Sequence, residues 1–364
     1  MPTIRLSGTI LGDEDPARAE RAELLYLLFR AGWDIYNSNG DQQITLDNIE
    51  KKIIESDAFL FTPNPGIEDL FKAVSIFVGY QTLDKNLWGK PTVLLNGDNS
   101  WKGLIDVLTH LHAVGTVGQD HEDFLLQAGS PSGALKQLNF GLSRTPPDPG
   151  RESLNQPMTA KSFESPMPDE LVANVCVFCS ATLEDPAYLE DGRRLGQLLA
   201  ENHFGCVSGA GKSGIMGAVV EGNVAANGWA AGSNVPHIIE IEGLPDGLSS
   251  FWLRDDIYTR MEVMIENSDA FIIMPGGAGS VQELLALMIF KTKDDALMKD
   301  KPVYIFNRPL PDGGGFWDPV IRLLGDLCPQ QPPHVCSDID LLMEELQSTF
   351  PQRVDRLSPL VATT

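Results

Sequence analysis

The stretch MPGGAGSVQE, Met274–Glu283, sets a glutamate behind three glycines where a strand-like run, Ala270-Phe-Ile-Ile273, gives way to an apolar helix pattern, Leu284-Leu-Ala-Leu-Met288. Glycine at a strand-to-helix turn lets the backbone approach a ligand closely. The free N–H groups of a helix start add a partial positive charge of roughly half a unit. Such a turn suits a phosphate, and a carboxylate beside it suits a ribose or an attacking water. Arg260, on a helix pattern ahead of the same strand, offers a guanidinium, with Arg254 as the other candidate. A purely structural reading competes: Ser280-Val-Gln-Glu283 has the form of a capping box, in which Glu283 returns a hydrogen bond to the N-cap amide.

A second glycine loop, Ser208-Gly-Ala-Gly-Lys-Ser-Gly-Ile-Met-Gly217, follows a strand-like segment ending near Val207. It fits GxGxxG at Gly209, Gly211 and Gly214, yet the acid expected about twenty residues on is missing, since Ala230-Ala-Gly-Ser-Asn-Val235 stands there. Its Gly-Lys-Ser does not make a P-loop, because Cys206 occupies the place of the first glycine. Two glycine loops in one half point to a phosphorylated ligand lying across the carboxyl ends of parallel strands. The candidate binding set is Gly209, Gly211, Gly214 and Met216 from the first loop with Gly276, Gly277, Gly279 and Ser280 from the second.

Positioning these residues requires a scaffold, and the chain spells one out. Short apolar runs such as Ala58-Phe-Leu-Phe61, Thr92-Val-Leu-Leu95, Val175-Cys-Val-Phe178 and Val303-Tyr-Ile-Phe306 alternate with amphipathic helix patterns. That alternation predicts an α/β protein with two Rossmann-like domains, each a parallel sheet flanked by helices. A chain of 364 residues fits two domains better than one. From Gly129 to about Glu170 the sequence is rich in Pro, Ser and Gly and loses hydrophobic periodicity, as a linker or extended arm does. The expected boundaries are a first domain over 1–140, a linker over 141–170, a second domain over 171–350 and a tail over 351–364 without a readable motif.

The halves repeat one another. Ser56-Asp-Ala-Phe-Leu-Phe-Thr-Pro63 lines up with Ser268-Asp-Ala-Phe-Ile-Ile-Met-Pro275, and Gly89-Lys-Pro-Thr-Val-Leu-Leu-Asn96 with Asp300-Lys-Pro-Val-Tyr-Ile-Phe-Asn307. The chain reads as a degenerate duplication whose first half, shorter ahead of the SDAF segment, has lost a helix and a strand. Where the second half has its glycine loop, the first reads Thr62-Pro-Asn-Pro-Gly-Ile-Glu68, and Asn48 falls at the place of Arg260. A catalytically silent first domain is expected, serving assembly or binding a regulatory nucleotide. Its SDAF and Gly-Lys-Pro segments are also faintly similar to nucleoside deoxyribosyltransferases.

Taken together, Val177-Phe-Cys179, Gly209 to Gly217, Arg260, Ser268-Asp-Ala-Phe271 and Pro275-Gly-Gly-Ala-Gly-Ser-Val-Gln-Glu283 resemble the Lonely Guy (LOG) family of nucleoside 5′-monophosphate phosphoribohydrolases, over about Val172 to Leu324. The resemblance implies a Rossmann-like enzyme that cleaves the N-glycosidic bond of a nucleotide to free base and ribose 5-phosphate. It implies Glu283 and Arg260 as the catalytic pair, and Gly276, Gly277, Gly279 and Ser280 as the phosphate loop. The older label of lysine decarboxylase finds no cofactor-binding lysine in the motif, and neither cofactor nor metal is expected. By analogy with the family a homodimer or higher homo-oligomer follows. The chain departs from the family pattern at Met261 for lysine, Ala278 for a frequent tyrosine, Ser280 for threonine and Ala210 for the middle glycine. The first two departures mean that a cytokinin-type substrate does not follow from the resemblance, and an ordinary nucleotide such as AMP, in purine metabolism, is the substrate expected. The alternative is a non-catalytic nucleotide- or cofactor-binding carrier or regulatory protein on the same fold.

Composition narrows the field further. A formal charge of −23 repels a phosphate backbone, so no nucleic-acid partner is expected. No apolar run approaches the roughly 20 residues that span a bilayer, and the N-terminus MPTIRLSGTI lacks a secretory pattern, so no membrane partner and a cytoplasmic location are expected. The cysteines Cys176, Cys179, Cys206, Cys328 and Cys336 lie in or near apolar segments, as reduced, buried thiols do.

Overall fold

The structure is a computed structural model that describes residues 3–7, 17–37, 55–145 apart from 83, 85, 88 and 119, and 160–351. Asn48, residues 146–159 of the Pro-rich segment and residues 352–364 of the tail lie outside the described residues.

Among the described residues twelve strands form two wholly parallel sheets. The first sheet holds β1 (Thr3–Ser7), β2 (Asp34–Asn37), β3 (Ala58–Phe61), β4 (Thr92–Leu95) and β5 (Leu125–Ala128), in the order β2-β1-β3-β4-β5. The second holds β6 (Ala173–Phe178), β7 (Phe204–Ser208), β8 (Ala230–Asn234), β9 (Ser250–Leu253), β10 (Ala270–Ile273), β11 (Val303–Phe306) and β12 (His334–Cys336), in the order β12-β11-β10-β6-β7-β8-β9. The runs AFLF, TVLL, AFII and VYIF are buried at every position. They need no alternation because helices cover both faces of each sheet. The helices are α1 (Ala17–Arg30), α2 (Ile67–Gln81), α3 (Lys102–Ala113) and α4 (Pro131–Ser143) in the first half. The second half has α5 (Pro186–Glu201), α6 (Gly214–Ala225), α7 (Pro236–Glu242), α8 (Ile257–Glu266), α9 (Ala278–Thr292), α10 (Asp318–Leu327) and α11 (Ile339–Thr349).

The order β2-β1-β3-β4-β5 reappears as β7-β6-β10-β11-β12, so the duplication seen in the SDAF and Lys-Pro segments extends to topology. Local detail repeats as well. The Asn96 side-chain oxygen accepts from the backbone N–H of Trp101 at 3.0 Å, and Asn307 does the same for Trp317 at 2.7 Å, each tryptophan opening the next helix. The loss in the first half is larger than the one strand expected from sequence: among the described residues its sheet has no counterpart of β8 or of β9. They are the last two strands at one end of the sheet, so removing them leaves the other five strands contiguous.

The halves meet through matching helices. α2 packs on α9, and α3 packs on α10, each against the element that holds its own place in the repeat. Both α2 and α9 are buried over most of their length, and one core cluster runs from Phe71, Ile76 and Phe77 through to Leu284, Leu287 and Met288. A helix apolar on all sides needs cover beyond its own sheet, and each supplies it to the other. Gln282 donates to the Ser75 hydroxyl at 3.0 Å within this buried face, and Lys293 pairs with Glu68 at 2.6 Å at its margin. The described end of the Pro-rich segment is an extended arm. Phe163 bridges antiparallel to Phe251, its N–H donating at 3.0 Å and its carbonyl accepting at 2.8 Å, which covers part of the β9 edge.

Among the described residues no helix is long and apolar enough to cross a membrane. All five cysteines are free and buried, as expected from their apolar surroundings.

Candidate active site

In the second sheet the chain runs outward from β6 to β9 and returns to β10 beside β6, so the strand order reverses between β6 and β10. Ligand crevices of open α/β sheets form at the carboxyl ends of strands at such a switch. Here the β6 and β10 loops are stitched together: Met274 N–H donates to Phe178 O at 2.9 Å and Ser180 N–H to Pro275 O at 3.1 Å. A cleft opens over them, lined by Ser180, Thr182, Met216, Arg260, Gly277 and Glu283 among others.

Glu283 is not a cap. α9 begins at Ala278 with Gly277 as its N-cap, no side chain bonds to the cap, and Ser280 already lies inside the first turn. Glu283 therefore sits in the second turn rather than the first, a correction to the capping-box reading. The cause is the extended backbone of Gly277 (φ −99°, ψ −158°), which puts the N-cap three residues before the serine. The first N–H groups of α9 have no partner within the helix, and Ala278, Gly279 and Ser280, which carry them, line the cleft.

Arg260 is held by three contacts. Its Nε donates to Ser233 O at 3.0 Å, one terminal nitrogen donates to Gly209 O at 3.3 Å, and the other faces Glu283 Oε1 at 3.9 Å, beyond hydrogen-bond reach. Both side chains are buried. α8 presents the arginine inward because its other face, Tyr258, Met261 and Ile265, belongs to the core. Its start is fixed by Asp256, whose carboxylate accepts from Tyr258 N–H at 2.8 Å and Thr259 N–H at 2.9 Å. Arg254 bonds its own neighbour Leu253 O at 3.0 Å instead of entering the cleft.

Burial pushes the Glu283 carboxyl up to about 7, with Arg260 pulling it down and Glu242 pushing it further up. A carboxyl so placed exchanges its proton near neutrality. Glu242, the last residue of α7, stands on the cleft wall as a second acid that no sequence motif marked.

The first glycine loop acts by clearance. A Cβ on Gly209 would stand 2.1 Å from the Arg260 guanidinium, and one on Gly211 would stand 2.7 Å from the Glu242 carboxylate. Gly214, at φ +61°, has a backbone conformation that side chains avoid, and its Cβ would meet Ala181. Of that loop Met216 lines the cleft, its sulfur accepting from Gly211 N–H at 3.0 Å. Lys212 turns outward to Asp246 at 3.1 Å, so the Gly-Lys-Ser sequence is not a phosphate grip. In the second loop Gly277, Gly279 and Ser280 line the cleft, while Gly276 lies beneath the serine, where a Cβ would meet Ser280 Oγ at 2.1 Å. Met261 and Ala278, two of the four departures from the family pattern, both belong to the core shared by the two halves, and Ala278 also reaches the cleft wall.

The first half forms part of that wall. Val78, Gln81, Thr82 and Thr116 line the cleft, and Thr116 O lies so close to Gly277 that a Cβ there would approach it to 2.8 Å. Sequence reading missed these residues; the only hint was the all-round apolar character of α2, which demanded a partner. The first half's own counterpart of the site is altered. Counting from the start of each helix, Lys72 of α2 holds the place of Glu283, and it is buried 3.9 Å from Asp69.

A family model described as "possible lysine decarboxylase" matches residues 216–332, a stretch that includes Arg260 and Glu283. A probable cytokinin riboside 5′-monophosphate phosphoribohydrolase of Oryza sativa subsp. japonica is 31% identical over 153 residues, 41% of this chain and 64% of the relative. A cytokinin riboside 5′-monophosphate phosphoribohydrolase of Mycobacterium tuberculosis is 32% identical over 111 residues, 30% of this chain and 59% of the relative. The chain thus spans under two thirds of the length of these two relatives. Among solved structures, a molybdenum cofactor carrier protein from Chlamydomonas reinhardtii aligns at 18% identity and a TM-score of 0.38, over 48% of this chain and 96% of that one. A molybdenum cofactor binding protein from Rippkaea orientalis aligns at 21% identity and a TM-score of 0.37, over 48% and 94%. A further phosphoribohydrolase, from Mycobacterium marinum, is 30% identical over 170 residues, 47% of this chain and 84% of the relative, and with that coverage the chain belongs to the Lonely Guy family.

Proposed function

We propose that the chain hydrolyses the N-glycosidic bond of a nucleoside 5′-monophosphate, AMP or a similar nucleotide, giving free base and ribose 5-phosphate. The observation that carries this reading is a buried carboxyl titrating near 7, Glu283, set beside Arg260 and the uncapped glycine start of α9 in one cleft. The phosphoribohydrolase names of the relatives support the same reaction class.

In this mechanism the 5′-phosphate rests on the first N–H groups of α9, where Gly277, Gly279 and Ser280 leave the backbone accessible. The C1′–N bond breaks with its electron pair going to the base, and positive charge grows on the ribosyl ring. Ionised Glu283 stabilises that charge and takes the proton of the water whose oxygen bonds to C1′. Arg260, fixed by Ser233 O and Gly209 O, opposes the effect of burial and keeps a fraction of Glu283 ionised at neutral pH. The base leaves as a stabilised anion or takes a proton as it departs.

The division of labour belongs to the same proposal: residues 171–350 carry the catalytic domain and residues 1–140 a silent one. A lysine in the place of Glu283 cannot stabilise a ribosyl cation, which supports the silence of the first half. A homo-oligomer would form through a face other than α2 and α9, since those helices already cover each other.

The test is release of ribose 5-phosphate from a panel of purine and pyrimidine 5′-monophosphates, beside Glu283→Gln and Arg260→Ala. Turnover lost in both variants is expected. Nucleotide binding by the wild type without any release would overturn the hydrolase in favour of a carrier.

A further inference from the structure

A second cavity adjoins the cleft, and neither half builds it alone. Thr82 and Ile257 line both spaces, and the Gln282–Ser75 hydrogen bond joins a residue of one to a residue of the other. Its first-half wall comes from the end of α2 and the turn after it, with Ser75, Gly79, Asp84 and Asn86; its second-half wall comes from His237, Asp255 and Tyr258. Asp84 is held by two hydrogen bonds: its N–H donates to Gly79 O at 2.9 Å, and its Oδ1 accepts from Asn86 N–H at 2.8 Å.

The lining sets acceptors such as Asp84, Asn86 and Asp255 among the apolar side chains of Leu87, Ile257 and Tyr258. Asp256 is committed to capping α8, and Asp84 accepts from Asn86 N–H through Oδ1. His237 faces Asp84 across the boundary between the halves. Burial and Arg260 lower its pKa while Asp84 and Glu240 raise it, burial being the largest influence, so near neutrality the ring is mostly uncharged and offers one donor and one acceptor. An exocyclic amino group placed among these groups would find a carboxylate to donate to.

We propose that this second cavity is the base subsite of the neighbouring cleft, and that the first half acts as a built-in second subunit whose Asp84 and Asn86 select an amino-bearing nucleobase. The inference rests on the phosphoribohydrolase reading. It is carried by the shared lining of the two spaces and by the packing of α2 and α3 on their own counterparts, which puts the first half where a second copy of the catalytic half would stand.

The experiment uses the full chain. Asp84→Asn keeps an oxygen to hold the turn and removes the charge; Asn86→Ala removes the amide. kcat/KM is measured for AMP, GMP and CMP, which carry amino groups, and for IMP and UMP, which do not. The affinity for ribose 5-phosphate, which lacks a base, is followed by calorimetry. The expected result is a loss of roughly tenfold or more for the amino-bearing nucleotides with Asp84→Asn, corresponding to one charged hydrogen bond. Change for IMP, UMP and ribose 5-phosphate should stay within about threefold. An equal loss across all nucleotides, or no change, overturns the subsite. Should the wild type turn over nothing, the hydrolase reading fails, and the same comparison made on nucleotide binding constants still decides the subsite. Base-selective weakening in Asp84→Asn supports it, and uniform binding refutes it.

Discussion

Glu283 makes a prediction that links stability to pH. Its carboxyl is raised from an ordinary 4.5 to about 7, chiefly by burial. The unfolded chain therefore releases this proton at lower pH than the native one. Below about 4.5 both states hold the proton and Glu283 costs nothing. Between 4.5 and 7 the unfolded state ionises first, so native stability falls as pH rises, and above 7 the loss is complete. The rise from 4.5 to about 7, at about 1.4 kcal/mol for each pH unit, amounts to about 3 kcal/mol. Glu283→Gln has no proton to lose and removes this dependence. Denaturant unfolding of both proteins at pH 4 and pH 8 should show the variant gaining about 3 kcal/mol relative to wild type across that interval, or on the order of 5 °C in Tm. Taking the difference cancels the titrating groups that are not coupled to Glu283. If Glu283 is the group whose ionisation activates the site, wild-type kcat/KM also climbs as pH rises through about 7. A stability difference that stays constant from pH 4 to pH 8 would refute the placement of Glu283 as a buried acid.

Three further substitutions probe the supports. Gly209→Ala puts a methyl 2.1 Å from the Arg260 guanidinium and should cost about 100-fold in kcat/KM by misplacing the arginine, with circular dichroism unchanged. Gly277→Ala drives a methyl toward Thr116 O, a backbone atom of the other half that cannot rotate away; a loss of about 2 kcal/mol in unfolding free energy is expected, together with weaker ribose 5-phosphate binding. Ala210 holds a left-handed φ of +52°, and Ala210→Gly should stabilise the protein by up to about 1 kcal/mol, read as a small rise in the denaturation midpoint.

Sequence alone determined the local layer. Apolar runs of four residues could only be buried strands, the glycine loops could only be strand-to-helix turns, and the repeated SDAF and Lys-Pro segments gave the duplication, because each depends on neighbours along the chain. The candidate pair Glu283 and Arg260 was legible from motif and spacing. Tertiary structure decided what those residues experience. Glu283 sits in the second turn of a helix started by Gly277, a matter of backbone path that the Ser-x-x-Glu pattern misread. Its raised pKa comes from burial and from Glu242, a residue far off in sequence that carries no signature. The cleft wall supplied by Thr82 and Thr116, and the cavity shared by Asp84 and His237, follow from α2 and α9 covering each other. Which residues meet across two packed surfaces depends on how both halves fold, and no local pattern in either half encodes it.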